Sequence, residues 1–374
     1  MINVNGEYVS NQKLEYVKSM KILAIETSCD ETASAVLEVK SNKQAVFKLL
    51  SNVVASQVKL HAKYGGVYPF LAKREHQKNL PLVYKKALLK AGNPKIDLLA
   101  VTSGPGLEPC LWVGINFAQK ISKKLNIPLV PVNHIESHIL ANFLNLKPKT
   151  LNLKFIFPAL ALVVSGGHTE LILMEKIGKY KILGGTRDDA AGECFDKVAR
   201  LLGLGYPGGP AIAKAAEKFH VANQKDQIKL PRPMLYHKNY DFSFSGLKTA
   251  ALYLIKELIK NNKKLTPSQT NEIAHETQQA IVDVLLFKTL KAAKDYKVRS
   301  IILGGGVVAN SKLRKQFEEK IKKELPGIGY IKPNLKYCTD NAAMTAITGY
   351  YQWQKKKKWP AIEADSNLRV DATT

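Results

Sequence analysis

No stretch of the 374 residues reaches the ~18–20 uninterrupted apolar positions that a membrane-spanning helix needs, so no bilayer span is expected. Cysteine is scarce. Cys29, Cys110, Cys194 and Cys338 include no C-x-x-C pair, and a chain this long needs no disulfide framework, so reduced, mostly buried thiols are expected. Two signatures are missing. G-x-x-x-x-G-K-[ST] is absent, which excludes a P-loop, and H-E-x-x-H is absent, which argues against zinc-peptidase chemistry of that type. Acidic residues are outnumbered, with Asp+Glu at 31 against Lys+Arg at 56. The resulting charge of +25 attracts polyanions, although a lysine-heavy composition scattered over helical surfaces gives the same number. Residues 1–19 have neither an apolar core nor an arginine and resemble neither a secretory signal nor a transit peptide. A cytoplasmic location is therefore expected, with Met20 a candidate alternative start.

What is present is an alternation of strand and helix signals over a length that suits two α/β lobes of roughly 150 residues each. Lys21–Glu26 and Ala33–Val39 read as strands around the turn Thr27–Thr32. Leu98–Thr102 is a strand ending in Ser103-Gly104-Pro105-Gly106, a helix follows from about Trp112 to Leu125, and Leu129–Val132 runs into Asn133 and another helix. The pattern then restarts. Ala159–Ser165 and Thr169–Met174 flank Gly166-Gly167, about 140 residues after the first such unit, a weak internal duplication. Asp188 and Asp189 stand where they could cap a helix with the apolar face Phe195, Val198, Ala199 and Leu202, which Gly203 would end. Gly209 and Pro210 fit the N-cap and N1 of the next helix, and Thr266-Pro267-Ser268-Gln269 reads as a capped start. Ser300–Leu303 leads into Gly304-Gly305-Gly306 and a helix near Asn310. The expected division is an N-terminal extension 1–20, a first lobe 21–150, a second lobe 151–352 with a helical insertion at about 190–300, and a basic, irregular tail 353–374. The run Lys355–Lys358 reads as solvated.

Chemistry concentrates in a few clusters. His134 and His138 lie four apart, so on a helix both imidazoles share one face and can reach one metal; two unrelated histidines at this spacing are the alternative. Ile135 occupies the position where a metalloprotease has its glutamate, and Glu136 projects to another face. Asp340, in Cys338-Thr339-Asp340-Asn341, is either a helix N-cap or the third ligand of a His₂Asp site suited to Fe(II) or Zn(II). Glycine turns at Val163-Val164-Ser165-Gly166-Gly167-His168-Thr169 and Gly304–Gly306 permit close approach of a nucleotide, although a tight turn alone needs the same residues. With the acidic opening turn around Asp30 they fit a nucleotide held between lobes. Asp188, Asp189, Glu193 and Asp196 crowd one segment; Asp196 either reaches a cleft or lies on the surface. Lys248 either meets a substrate phosphate or is solvated.

Taken in order, these segments resemble the TsaD family, the tRNA N6-adenosine threonylcarbamoyltransferases, over about Lys21 to Gly349. The markers are Ile25–Thr32, Gly104-Pro105-Gly106-Leu107, His134-x-x-x-His138, Val164–Thr169, Asp189–Glu193, Tyr206–Pro210, Phe242–Lys248, Gly305-Gly306-Val307-x-Ala309-Asn310 and Cys338–Asn341. The Ser-Gly-Gly-His-Thr form is similar to the bacterial and organellar branch. The resemblance implies a two-lobed, actin-like and hexokinase-like ATPase fold with a cleft. It implies one divalent metal, Fe(II) or Zn(II), on His134, His138 and Asp340. It implies substrate contacts from Val163, Val164, Ser165, Gly166, Gly167, Asp196, Gly209 and Asn310; Asp30, Glu31 and Lys248 are further cleft candidates. The implied donor is threonylcarbamoyl-AMP from a separate synthase, with ATP the other adenine nucleotide for the cleft. The implied acceptor is adenosine 37 in the anticodon loop of tRNAs reading codons that begin with A, and TsaB-like and TsaE-like proteins are the implied partners. Phe70 and Glu108-Pro109 depart from the family pattern, which bears on docking more than on chemistry. An ATP-dependent small-molecule kinase of this fold and a non-catalytic nucleotide- or RNA-binding scaffold are the alternative readings.

Overall fold

Ile22, Leu23, Ala24 and Ile25 are all fully buried, as a strand covered on both faces requires. They form the centre of β1 (Lys18–Glu26) in the computed structural model, which describes residues 18–42, 44–145, 156–219, 228–262, 264–356, 359 and 361–373. β1 pairs antiparallel with β2 (Glu31–Asn42), which pairs antiparallel with β3 (Gln44–Ser56). Helix α1 (Pro69–Lys90) leads to β4 (Leu98–Gly104), parallel to β1. Helix α2 (Glu108–Leu125) leads to β5 (Leu129–Asn133), parallel to β4. The sheet order is β3-β2-β1-β4-β5.

The second sheet repeats this plan. β6 (Ala159–Val164), β7 (Thr169–Lys176) and β8 (Lys179–Gly185) form an antiparallel meander, and β9 (Ser300–Gly304) and β10 (Gly329–Ile331) extend it in parallel. The order β8-β7-β6-β9-β10 matches the first sheet strand for strand. The duplication read from two turns therefore extends to ten strands, the arrangement expected of an actin-like ATPase. The lobes differ between their third and fourth strands. The first has α1 there. The second carries α4 (Ala191–Leu201), α5 (Gly208–Ala216), α6 (Ser245–Asn262) and α7 (Pro267–Asp295). Between β5 and β6 lies the short α3 (His134–Leu140); α8 (Ser311–Glu324) follows β9, and α9 (Ala342–Lys355) follows β10. One core cluster joins Ala24, Ala100 and Val132 of the first sheet to Ala161 and Ile302 of the second through Ala343, Ile347 and Tyr350 of α9. Gly349 makes that packing possible, since a Cβ there would sit 2.5 Å from the Cβ of Ala100.

Several local expectations need correction. Helix α2 starts at Glu108, not near Trp112: Pro109 takes the N1/N2 site and Glu108 supplies a first-turn acid, so this departure from the family pattern is a sound helix start. Asp188 and Asp189 do not cap α4, whose N-cap is Ala190. Asp188 instead accepts from the hydroxyls of Ser243 and Ser245 and the amides of Phe244 and Ser245, at the start of α6. The helix assigned to Gly209 and Pro210 begins at Gly208, with Pro207 as N-cap. Of the N-terminal extension 1–20, residues 18–20 belong to β1 and 1–17 lie outside the described residues. The segment 361–373 is irregular, but it is docked. The Asp365 amide donates to Ser103 O, the Gly106 amide to Ser366 O, and Val370 is buried in the shared core. Its contacts are scattered backbone pairs, side-chain hydrogen bonds such as Asn133 Nδ2 to Leu368 O, and the apolar anchors Ile362 and Val370, which leave no periodic trace in sequence. Lys355 ends α9 and Lys356 lies over the Trp359 ring; Lys357 and Lys358 are outside the described residues. The Thr266 capping box and the Gly203 terminus are as expected. The four cysteines are unpaired and, except for the partly exposed Cys29, buried; burial pushes the Cys110 and Cys194 thiols up to about 12. No helix of the described residues is long and apolar enough to cross a membrane.

Candidate metal centre and inter-lobe cleft

Helix α3 starts where β5 ends because the Asn133 side chain accepts hydrogen bonds from the amides of Ile135 and Glu136, a cap worth about 1 kcal/mol. That fixes His134 and His138 one turn apart on one buried face, with ring centroids 4.6 Å apart. Asp340 comes from more than two hundred residues downstream. It is not the cap of α9: Asn341 takes that position, accepting from the amides of Ala343 and Met344, and the Asp340 carboxylate faces the histidines. Asp340 Oδ1 lies 3.5 Å from His134 Nε2 and 3.1 Å from His138 Nε2. One donor atom from each of the three residues lies within 4.8 Å of the others.

The cluster has the marks of a cation site rather than of a hydrogen-bonded core. Both His138 ring nitrogens are buried without a hydrogen-bond partner, and the 3.1 Å approach of Nε2 to Asp340 lacks hydrogen-bond alignment. A buried polar atom left in this way is costly unless something binds it. Two imidazoles and a carboxylate suit Zn(II) or Fe(II). Behind them stands a residue that sequence reasoning did not single out. Glu26, fully buried at the end of β1, has Oε2 3.4 Å from His134 Nδ1 and accepts from Thr102 Oγ1 at 2.6 Å and Thr345 Oγ1 at 3.1 Å. Ser28 Oγ lies 3.1 Å from the same His134 nitrogen. A carboxylate on the far nitrogen of a ligating imidazole orients it and raises its basicity. The only available signal was an acid ending an otherwise apolar strand. Burial disfavours the imidazolium of His134, yet Asp340 and then Glu26 hold it up to about 9. Burial likewise opposes ionisation of Asp340, and the two histidines still pull it down to about 2. Glu136 takes no part: it is buried on another face, where Tyr180 Oη and Gln352 Nε2 donate to it.

The glycine turn lies beside this cluster. Ser165 to His168 closes by a hydrogen bond from the Ser165 amide to His168 O. Gly304 approaches the His138 carbonyl, and Gly305, at φ +93°, lies so close to Val164 that a Cβ would fall 2.3 Å from the Val164 oxygen. Gly192 is pressed equally closely onto Ser165 O and Gly166 Cα, whereas a Cβ on Gly166, Gly167 or Gly209 would meet nothing within 4 Å. Val163 and Val164 are buried at the end of β6. Burial, then His134 and His138, push His168 down to about 4, so it is neutral at physiological pH. The acidic turn faces the same region. Asp30 Oδ2 is buried without a partner, and burial, Asp30 and Asp340 together raise the Glu31 carboxyl well above its usual range. A cavity of ≈ 420 Å³ opens between the lobes, lined among others by Lys63, Tyr64, Asp196, Arg200 and Tyr206. Asp196 accepts from the Gly208 amide at 2.6 Å, and burial raises its carboxyl to about 6. Asn310 caps α8 and donates to Gln278 Oε1 at 2.7 Å. Lys248 stands apart from this group, with Nζ 3.9 Å from Asp189 Oδ2 in an ion-pair cluster that includes Lys197 and Glu193.

Fold and site together define a two-lobed α/β protein of the actin-like ATPase type, with a candidate metal site and a cavity between the lobes. The fold is similar to that of HypF from T. kodakarensis at TM-score 0.55, with 12% identity, covering 90% of this chain and 48% of that one. Residues 48–347 match the family model TsaD, described as tRNA N6-adenosine threonylcarbamoyltransferase. Relatives carrying that name include one from Thermosipho melanesiensis, 49% identical over 358 residues, covering 94% of this chain and 98% of the relative. Another, from Bacillus subtilis, is 46% identical over 340 residues, covering 90% and 92%. The chain belongs to the TsaD family of tRNA N6-adenosine threonylcarbamoyltransferases.

Proposed function

We propose that the protein transfers a threonylcarbamoyl group from threonylcarbamoyl-AMP to N6 of adenosine 37 in tRNAs reading codons that begin with A. Family membership supports the transfer to tRNA, and the kinase and scaffold readings are not favoured. The observation that carries the chemistry is the convergence of His134, His138 and Asp340 on one point beside the glycine turn.

In this reading His134, His138 and Asp340 hold one divalent metal, Fe(II) or Zn(II), with Glu26 orienting His134. The bound metal would supply Lewis-acid polarisation of the threonylcarbamoyl oxygens. Gly166 and Gly167 present backbone donors where charge develops on the carbamoyl oxygen, with Val163, Val164 and Ser165 as the neighbouring substrate contacts. Asp196, Gly209 and Asn310 hold the adenylate, while the free Asp30 carboxylate and Glu31 close the opposite wall of the cleft. The adenosine amine attacks the carbamoyl carbon; the new C–N bond forms, the bond to phosphate breaks and AMP leaves. The amine proton passes to the departing phosphate or to water. An unpaired base in the anticodon loop is reachable without opening a duplex. Lys248 is engaged by Asp189 and has a structural role in this scheme.

The proposed lobes are 21–150 and 151–352, with α9 lent by the second to the first, a division supported by the packing of α9 on the first sheet. A cytoplasmic setting follows from the tRNA substrate. A separate synthase supplies the donor, and TsaB-like and TsaE-like proteins are the expected partners. The test is reconstitution with labelled threonine, bicarbonate, ATP, a donor synthase and tRNA, followed by nucleoside analysis. His138→Ala is expected to fold normally, retain no stoichiometric metal and lose at least about 100-fold in transfer. Undiminished transfer by the metal-free variant would refute the role assigned to the cluster.

A further inference from the structure

Three aromatic residues stand exposed within one short segment that borders the cleft at Tyr64: Tyr64 at 61%, Tyr68 at 57% and Phe70 at 67%. The Tyr64 and Tyr68 rings lie 6.0 Å apart and 33° from parallel, which leaves both with accessible faces. Their backbone is fixed. Gly65 takes the left-handed turn at φ +68°, the Tyr68 amide donates to His61 Nδ1, and Pro69 starts α1 with Phe70 in its first turn. Arg200 of α4 donates to the Gly65 carbonyl, tying the segment across the cleft to the second lobe. Tyr64, Lys63 and Arg200 line the same cavity as Asp196.

The surrounding charge is one-sided. Residues 59–78 contain Lys59, Lys63, Lys73, Arg74 and Lys78 against the single carboxylate of Glu75. Protein interfaces are depleted of lysine, whereas surfaces for unpaired nucleic acid combine aromatic stacking faces with cations along a groove. Resting on the tRNA reading above, we propose that Tyr64, Tyr68 and Phe70 form a stacking platform. It holds unpaired anticodon-loop bases flanking the target adenosine, while Lys63 and Arg200 meet their phosphates. The platform keeps the loop splayed at the cavity mouth, so that one adenine enters.

The test measures binding of a labelled anticodon stem-loop RNA and of a fully paired hairpin to the whole protein. Loss of one base–aromatic stack corresponds to about tenfold in affinity. Tyr64→Ala combined with Phe70→Ala is expected to weaken stem-loop binding at least about tenfold and leave the hairpin unchanged, because the cations remain. Tyr68→Phe, which keeps the ring, should bind like the parent. So should Tyr253→Ala, an exposed tyrosine on α6 away from the cleft. Metal content and thermal unfolding should match the parent, and the single variants Tyr64→Ala and Phe70→Ala decide the matter should the double variant misfold. Unchanged stem-loop affinity overturns the proposal. Equal loss on both RNAs also overturns it, as does intact RNA binding with lost association of a TsaB-like protein. If the parent modifies tRNA while the double variant does so with unaltered KM, the platform fails and the proposed function stands. If the parent neither binds nor modifies tRNA, both fail.

Discussion

The two lobes are built on one strand order and do different work. In the first, the turn between strands one and two is acidic and closed in: Glu26, Ser28, Asp30 and Glu31 all bear on the cluster of His134, His138 and Asp340. In the second, the equivalent turn, Ser165 to His168, is glycine-rich, and a Cβ on Gly166 or Gly167 would meet nothing within 4 Å. A repeated scaffold thus places a charge-bearing turn opposite a donor-bearing turn. The difference teaches that the copies diverge in what they carry at the ends of their strands, and not in the shared sheet.

The largest effect on this contrast should come from removing charge in the first lobe. Glu26→Gln keeps the shape but removes the carboxylate that orients His134, and metal affinity should fall 10–100-fold. The measurement belongs above about pH 9, where most of the His134 imidazole has lost its competing proton. In the metal-free parent His134 is raised, so its ion-pair stabilisation is complete below about 6.5 and fades as pH rises through about 9. Metal uptake near neutrality should therefore release a proton, seen calorimetrically in buffers of different ionisation enthalpy, and the variant should release less.

In the second lobe, geometry separates two glycines. Gly192→Ala puts a Cβ 2.5 Å from the Ser165 oxygen, against backbone that cannot move aside, and should cost about 1–3 kcal/mol in denaturant unfolding. Gly166→Ala meets nothing and should leave stability within about 0.5 kcal/mol. Transfer lost in Gly166→Ala would then report on substrate seated against the turn. The smallest effect should be a pH dependence. Burial raises the Asp196 carboxyl to about 6, and in the adenylate-binding role proposed for it the carboxylate is the form that would accept from a ribose hydroxyl. Adenylate affinity should thus weaken several-fold as pH falls through about 6, and Asp196→Asn should flatten that profile.

Much of this was legible in the sequence because the relevant signals are local. The Asn133 cap, the four-residue histidine spacing and the glycine turns all lie within a few residues of the feature they produce. What was hidden depends on distant partners. Glu26 looks like the end of a strand until Thr102 and Thr345 are brought onto its Oε2. Asp340 could not be told from a helix cap until Asn341 took that position. Phe70 registered only as a departure, because exposure is not written in a local pattern. The segment 361–373 was opaque for the same reason: its anchors are isolated backbone pairs to Ser103 and Gly106, a hydrogen bond from Asn133, and the separate side chains Ile362 and Val370.

That closing segment has a consequence for how the protein is made. The side-chain amide of Asn133, whose oxygen caps α3, donates to the Leu368 carbonyl at 3.0 Å. Asp340 and the whole of α9 also arrive late in synthesis. A ribosome that has delivered every residue of the first sheet has still delivered neither the third donor nor the helix that covers that sheet. The three side chains of the candidate metal cluster therefore meet only once segments more than two hundred residues apart have been brought together.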